Sequence, residues 1–372
     1  MTAGLVWFRN DLRIKDNVVL KTAMDKLDNV YPVYVFNPND YKKNELNFSK
    51  IGSYRAKFII EAVEELRQSL RSIGSDLIVR IGDPKEEIAG LAQEVGAKYV
   101  FAGKEATTYE LMEEERIENN LWTKGVSLEL IWHSTLYHVD DIPWPIKHLP
   151  ETFTDFRKEL EAEACVKALV NDPKNLNSTI EFEVGDIPEL SDLGLEEKVV
   201  DRRAAMKFKG GEKEAFKRLK SYLWTKDLLK EYKKTRNGLL GADYSSKLSP
   251  WLALGCISPR SIYYEVKKYE EERVKNDSTY WLIFELLWRD YFRFIAKKHK
   301  NNLFKITGIR NRRKEFQNDH DVFMKWVNGE TGEPFANANM IELKRTGYMS
   351  NRGRQNVASY LVNDLNINWT WG

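Results

Sequence analysis

Over its first 135 residues the chain alternates short apolar runs with stretches of helical period, and this limits the choice of fold more than any other feature. Leu5-Val6-Trp7-Phe8 and the run from Val30 to Phe36 are strand-like. Between Ser53 and Ile73 the residues Phe58, Ile59, Ala62, Val63, Leu66 and Leu70 recur at helical spacing, and Gly74 supplies a stop. A strand over 76–81, a helix opened by Asp83 and Pro84, a strand at Tyr99–Ala102, an acidic helix from about Thr108 and a strand over 128–132 follow. Strands alternating with helices pair in parallel and bury both sheet faces under helices. From Gly211 onward only the helical period persists, with Phe216, Leu219, Leu223 and Trp224 on one face. Between them, 171–197 is acidic, broken by Pro and Gly, and weakly periodic, as a linker is. The expected fold class is α/β then all-α: a doubly wound, Rossmann-like domain over 1–135, a linker over 136–200 and a helical domain over 201–372.

At 372 residues the chain is long for a single core, which agrees with two domains. Its net charge of +2 hides a division. Residues 1–200 carry 24 Lys and Arg against 36 Asp and Glu, a balance of −12, whereas residues 201–372 carry 34 against 20, a balance of +14. Seven of the eleven tryptophans lie in that basic half, and positive charge with stackable rings fits a polyanion that carries bases. No run is long and apolar enough for a membrane span, and the start MTAGLVWFRND lacks the parts of a secretory signal. Cys165 and Cys256 give neither a disulfide framework nor metal-ligand spacing, and the five histidines are scattered. The expectation is a cytoplasmic, monomeric protein without a metal. No GxGxxG or GxxxxGK[ST] follows any strand, so the N-terminal domain lacks both common phosphate-cradling turns.

Three stretches of the helical half carry chemistry. In 343–371 Ser350 can cap a helix running to about Asn363, on which Asn351, Arg354 and Gln355 share one face while Val357, Ala358, Tyr360, Leu361 and Val362 oppose it as core. Tyr232 and Arg236 are one helical turn apart, and Ser245, Ser246 and Ser249 precede a helix begun by Pro250, an arrangement that suits phosphate. Trp281, Glu285, Trp288 and Arg289 fall at i, i+4, i+7 and i+8, placing a carboxylate, indoles and a guanidinium where plain burial would cost stability.

The motifs VWFRNDLR near the start, SSKLSPWLALGCISPR at 245–260, ELLWRDYFRF at 285–294 and TGEPFANANMIELKRTGYMSNRGRQNVASYLVNDLNINW at 331–369 resemble the photolyase and cryptochrome family throughout the chain. SNRGRQNVAS, with the segment STLYHVDDIPW…LPETFTDFRKELE, is similar to its DASH branch. The resemblance implies an α/β antenna domain and a helical domain binding FAD in a U shape, with the flavin at the floor of a DNA-facing pocket. By position, Tyr232, Ser245, Ser246, Leu248 and Ser249 would hold the flavin diphosphate and its surroundings. Trp281, Glu285 and Arg289 would line the cavity, Asn351 would sit between flavin and substrate, and Arg354 would lie against the isoalloxazine ring. Glu285 would hydrogen-bond a flipped pyrimidine dimer and Trp288 would stack on it, while Arg236, Lys247, Arg352 and Gln355 would face DNA.

The implied reaction is light-driven cleavage of cyclobutane pyrimidine dimers, with single-stranded or looped DNA preferred and 5,10-methenyltetrahydrofolate as antenna. The same resemblance allows a blue-light signalling protein, and the basic half allows a nucleic-acid-binding remnant with weak FAD binding. Three departures accompany it. The chain ends at Trp371-Gly372 where family members continue, which predicts weaker FAD retention and impaired photoreduction. Of the family's electron-transfer tryptophans Trp369 matches the middle position, with Phe316 at the outer one. Asn337 replaces a usual aspartate.

Overall fold

A computed structural model describes residues 2–176, 178 and 182–372. The N-terminal half forms strands β1 (Ala3–Phe8), β2 (Asn29–Phe36), β3 (Ile78–Ile81), β4 (Tyr99–Gly103) and β5 (Ser127–Ile131), with helices α1 (Val18–Lys26), α2 (Ser53–Arg71), α3 (Pro84–Glu94) and α4 (Thr108–Trp122) between them. All pairings are parallel, in the order β3-β2-β1-β4-β5. This is the expected doubly wound sheet, with β3 beginning two residues later than its apolar run and β5 ending one earlier. The pleat sorts the side chains of β1. Leu5 and Trp7 join Ile88, Leu91, Ile117 and Leu121 of α3 and α4, whereas Val6 and Phe8 join the residues of α1 and α2. Asp83 caps α3 through its carboxylate, as expected, and Gly74 closes the turn after α2 at φ +85.

Within 136–200, α5 (Phe153–Glu163) buries Phe153, Phe156 and Leu160 against the main core. Further on, the Val79 amide donates to the Val184 carbonyl at 2.7 Å, so this segment covers the outer edge of β3.

The second half contains α6 (Glu212–Lys220), α7 (Tyr232–Thr235), α8 (Ser249–Ala253), α9 (Pro259–Glu272), α10 (Asp277–His299), α11 (His320–Asn328), α12 (Pro334–Thr346) and α13 (Asn351–Ser359). Asn276 starts α10 with a reciprocal capping box. The core under α1 and α2 continues into α6, α9 and α10, while α11–α13 share a separate core around Phe323, Trp326, Met340 and Leu361. Along α13 and the wider turn that continues it over Tyr360–Asp364, Gly353, Val357 and Leu361 form the buried line, so Ala358, expected in the core, lies about 100° around the helix from Val357 and is exposed.

Open α/β sheets ordinarily bind ligands beyond the carboxyl ends of their strands, where the strand order reverses. Here that crevice, past β1 and β4, is filled by the helical half. Asp290 of α10 accepts from the amides of Leu136 and Tyr137, both at 3.0 Å. Arg293 donates to Glu105 and Ser134, Arg260 to Asp16, and Arg13 to the Gly255 carbonyl. Gly255 is at φ +62, and a Cβ there would stand 2.0 Å from the Asn10 carbonyl oxygen, so only glycine fits.

Candidate flavin and DNA site

At 3.6 residues per turn Trp281, Glu285 and Trp288 lie within about 60° of one another on α10, while Asp290 and Arg293 point toward the crevice. Arg289 falls between these faces, and its guanidinium takes the crevice side, donating to the carbonyls of Ser134 at 2.5 Å and Leu252 at 3.3 Å. The residue expected to line the cavity therefore joins the interdomain network.

On the other face, Arg236 donates to Glu285 at 2.6 Å, and its guanidinium lies 5.3 Å from the Trp281 ring centre. Lys233 sits over the same ring at 4.5 Å. Burial pushes the Glu285 carboxyl above its ordinary range and Arg236 opposes that shift. The Trp281 indole N–H is buried beside the Glu285 carboxyl and also opposes that shift, though it makes no well-formed hydrogen bond among the described residues. A buried donor so loosely satisfied can turn to a ligand. Trp288 lies flat against Phe153 of α5, with ring centres 3.6 Å apart and planes 10° apart, and Phe292 stacks on it at 5.4 Å.

The facing wall runs from 232 to 249. Tyr232 is buried, edge-on to Tyr222. Arg218 gathers the turn after α7, donating to the carbonyls of Ala242, Ser245 and Ser246 at 2.8–2.9 Å. Ser246 and Leu248 are buried, Ser245 is half-buried and Ser249 is exposed. None of the three serine hydroxyls has a hydrogen-bond partner among the described residues, which leaves them free for an oxyanion. Lys247, expected to face DNA, is instead 3% exposed and adopts φ +54. Its Nζ lies 3.3 Å from the Tyr244 ring centre and 5.0 Å from that of Tyr348. Burial pulls its pKa down to about 7, and Arg218 adds to the shift.

The third side is α13. Ser350 accepts from the Gly353 amide at 2.9 Å, the expected cap, and Gly353 lets α13 press on α12, because a Cβ there would meet Asn339 Oδ1 at 2.1 Å. Asn351, Arg352, Arg354 and Gln355 are all exposed on one side. Arg352 donates to Gln355 and, across the gap, to Asn237 at 2.9 Å, which joins two walls of the site. Arg354 donates to the Met349 carbonyl and has no carboxylate within ion-pair distance among the described residues. Trp369 donates to the Ile306 carbonyl at 3.0 Å. Asn337 accepts from the Thr331 amide and hydroxyl and donates to the Thr331 carbonyl, a set that an ionised aspartate could not complete.

Phe153, Arg218, Asn237 and Tyr348 are part of this site although the residue patterns did not single them out. Arg218 carried a signal: it is a guanidinium set into the apolar stripe of α6, beside buried Ala215 and Leu219.

Residues 4–174 match the DNA photolyase family, and residues 281–372 match the FAD binding domain of DNA photolyase. The chain is 50% identical over 368 residues to a protein of Gloeobacter violaceus named cryptochrome DASH, covering 99% of this chain and 74% of that protein. The chain belongs to the photolyase and cryptochrome family, on its DASH branch. A cryptochrome DASH of Natronomonas pharaonis is 48% identical over the whole chain, with 78% of that protein covered. The solved cryptochrome of Synechocystis superposes with a TM-score of 0.96 at 43% identity, covering all of this chain and 77% of that one. In this family member, therefore, the stretch singled out at 343–371 and the carboxylate face of α10 both lie within the region matching the FAD-binding domain.

Proposed function

We propose that the chain binds FAD in this site and uses light to split cyclobutane pyrimidine dimers, preferring single-stranded or looped DNA. The observation that carries the reading is the half-buried Glu285 carboxylate, paired with Arg236 at 2.6 Å and lying beside the Trp281 indole. A carboxylate held on a pocket rim by a single arginine can exchange that contact for base edges.

FAD, once bound and reduced, would supply a light-excited electron donor for a ring opening that involves no net redox change. The chain's own residues bind and position. Tyr232, Leu248 and Trp281 would supply apolar walls, and Ser245, Ser246 and Ser249 hydroxyls for a diphosphate. Asn351 and Arg354 would meet the isoalloxazine, and Arg354, exposed and bonded to the Met349 carbonyl, could face an anionic ring. Glu285 would read the base edges, and Trp288, held by its stacks on Phe153 and Phe292, would offer its edge to the dimer, while Arg236, Arg352 and Gln355 would meet phosphates. Extruding a dimer costs a few kcal/mol in a duplex and less in a single strand, which favours the single-stranded substrate. Methenyltetrahydrofolate as antenna and Trp369 as a step in electron supply belong to the same proposal.

The test is to load the chain with FAD, reduce it, and illuminate a thymine dimer in single-stranded, looped and duplex oligonucleotides. Repair fastest in the single strand is expected. Flavin photochemistry without repair would move the chain to the signalling reading, and DNA binding without flavin would leave a nucleic-acid-binding protein.

A further inference from the structure

From Lys297 to Lys314 the chain carries eight Lys and Arg and no Asp or Glu. The first two close α10, Lys297 over the Trp132 ring and Lys298 on the Leu149 carbonyl. The others, Lys300, Lys305, Arg310, Arg312, Arg313 and Lys314, are exposed, and none has an ion pair among the described residues. The segment that holds them is nonetheless a bonded turn. The Gly308 amide donates to the Lys305 carbonyl at 2.7 Å and the Arg312 amide to the Thr307 carbonyl at 3.0 Å, with Gly308 and Asn311 at φ +62 and +48. Trp369 donates to the Ile306 carbonyl and Lys314 to the Val362 carbonyl, both at 3.0 Å. The turn therefore joins the end of α10 to the wider turn that continues α13. Both helices lead back to the pocket, one to Trp288 and the other to Arg354. From Trp288 to His299 the rise along α10 is about 16 Å. Phe292 lies on that path, stacked on Trp288 and 61% exposed.

A basic run on a surface is ordinarily solvated and nothing more. Here six like charges are crowded onto a bonded turn with no acid among them to offset their repulsion, at the far ends of the two helices that carry the pocket. We infer that a single strand held in the pocket runs on over Phe292 to this turn, where the cations of 300–314 take its phosphates. The partner of the turn is thus the stretch of nucleic acid that flanks the bound bases. The inference rests on the proposed function only in placing a strand in the pocket. At about 3.4 Å per stacked nucleotide, the path along α10 holds about five nucleotides. Phe292 offers one base a ring on the way, and such stacking accepts any base, so the surface reads no sequence. A single strand bends along this path at little cost, whereas a duplex is stiff over so short a span, and the surface favours the single strand. An anionic bilayer would answer the same charges, but not the line of rings that leads from them to the pocket.

The experiment titrates the FAD-loaded chain, over a series of salt concentrations, with single-stranded oligonucleotides whose thymine dimer has a short or a roughly five-nucleotide flank on either side. Lengthening the flank on one side is expected to tighten binding about tenfold. Arg310→Gln, Arg312→Gln and Arg313→Gln together should abolish that gain and lower the slope of log affinity against log salt by about two, as loss of three phosphate contacts to a single strand would. Arg310→Lys, Arg312→Lys and Arg313→Lys together keep the charge and should keep the gain. Phe292→Ala should reduce it about fivefold. Flavin content and binding of the short-flanked oligonucleotide should stay unchanged in both triple variants. Repair that ignores flank length, or a glutamine variant that keeps the full gain, would overturn the surface alone. A gain from the longer flank without repair would uphold the surface and overturn the repair reading. Phosphatidylserine vesicles bound through the same three arginines, with no gain from longer flanks, would assign the turn to a membrane and overturn the strand.

Discussion

The crevice beyond the sheet and the pocket along 281–288 are built on opposite faces of the same helix, and they treat polar groups in contrary ways. In the crevice nearly every buried charge has a partner from the other half of the chain: Asp290 with two amides, Arg260 with Asp16, Glu212 with the amides of Ile14 and Lys15. The exception is Asp11 Oδ2, which faces His133 Nε2 at 3.5 Å, and burial pushes that carboxyl up to about 6. In the pocket the hydroxyls of Ser245, Ser246 and Ser249 have no hydrogen-bond partner among the described residues, and Glu285 is held by Arg236 with the Trp281 indole beside it. A closed network locks two halves together; an open one waits for ligands.

Disturbing the closed side should cost the most stability. Asp16→Asn keeps a residue tolerant of φ +48 but strands the buried Arg260 guanidinium. Chemical denaturation should register a loss of about 3–5 kcal/mol.

On the open side the penalty should fall on function. Glu285→Ala removes a half-exposed ion pair, so stability should change by about 1 kcal/mol or less. Discrimination of dimer from undamaged strand should drop about 10–100-fold, read by competition binding, because a hydrogen bond to a charged group is lost. A fall in stability larger than the fall in discrimination would place Glu285 with the crevice instead.

Trp281→Phe gives a smaller effect. Removing the indole N–H beside Glu285 should change the stability of the flavin-free chain by about 1 kcal/mol or less while increasing flavin loss on dilution. Unchanged flavin retention would show that nothing bound needs that donor.

The last effect concerns pH. In the folded chain burial holds Lys247 down at about 7, below its ordinary value near 10.5. Between those values the unfolded chain binds more protons, so stability of the flavin-free protein rises as pH increases through that window. Lys247→Met should flatten the rise in a series of melts at different pH, and a slope that persists would assign it to other groups.

Much of this was legible in the residue pattern because the signals were local. The alternation in 1–135, the Asp83 and Ser350 caps and the Trp281-Glu285-Trp288 face each depend on neighbours a few positions away. The misplacements arose where distant packing decides. Arg289 sits at the border between two faces of α10, and only the arrival of the Ser134 carbonyl shows which one it takes. Lys247 is closed in by Tyr348, 101 residues further along. Phe153 reaches Trp288 from a segment that reads as linker, and no spacing within either stretch announces the stack. Ala358 followed the apolar count of its helix, but Gly353, by pressing α13 onto α12 at one line, left that side uncovered.

The bonds from Asp290 to Leu136 and Tyr137 have a consequence for how the chain is made. Their partners are separated by 154 and 153 residues. A ribosome adding about 5–20 residues per second needs roughly 8–30 s to deliver Asp290 after Tyr137. Throughout that interval the finished sheet carries two open amides and a strand-end crevice with nothing in it. Newly made chains thus leave open to wrong partners the very surface that later joins the two halves of the molecule.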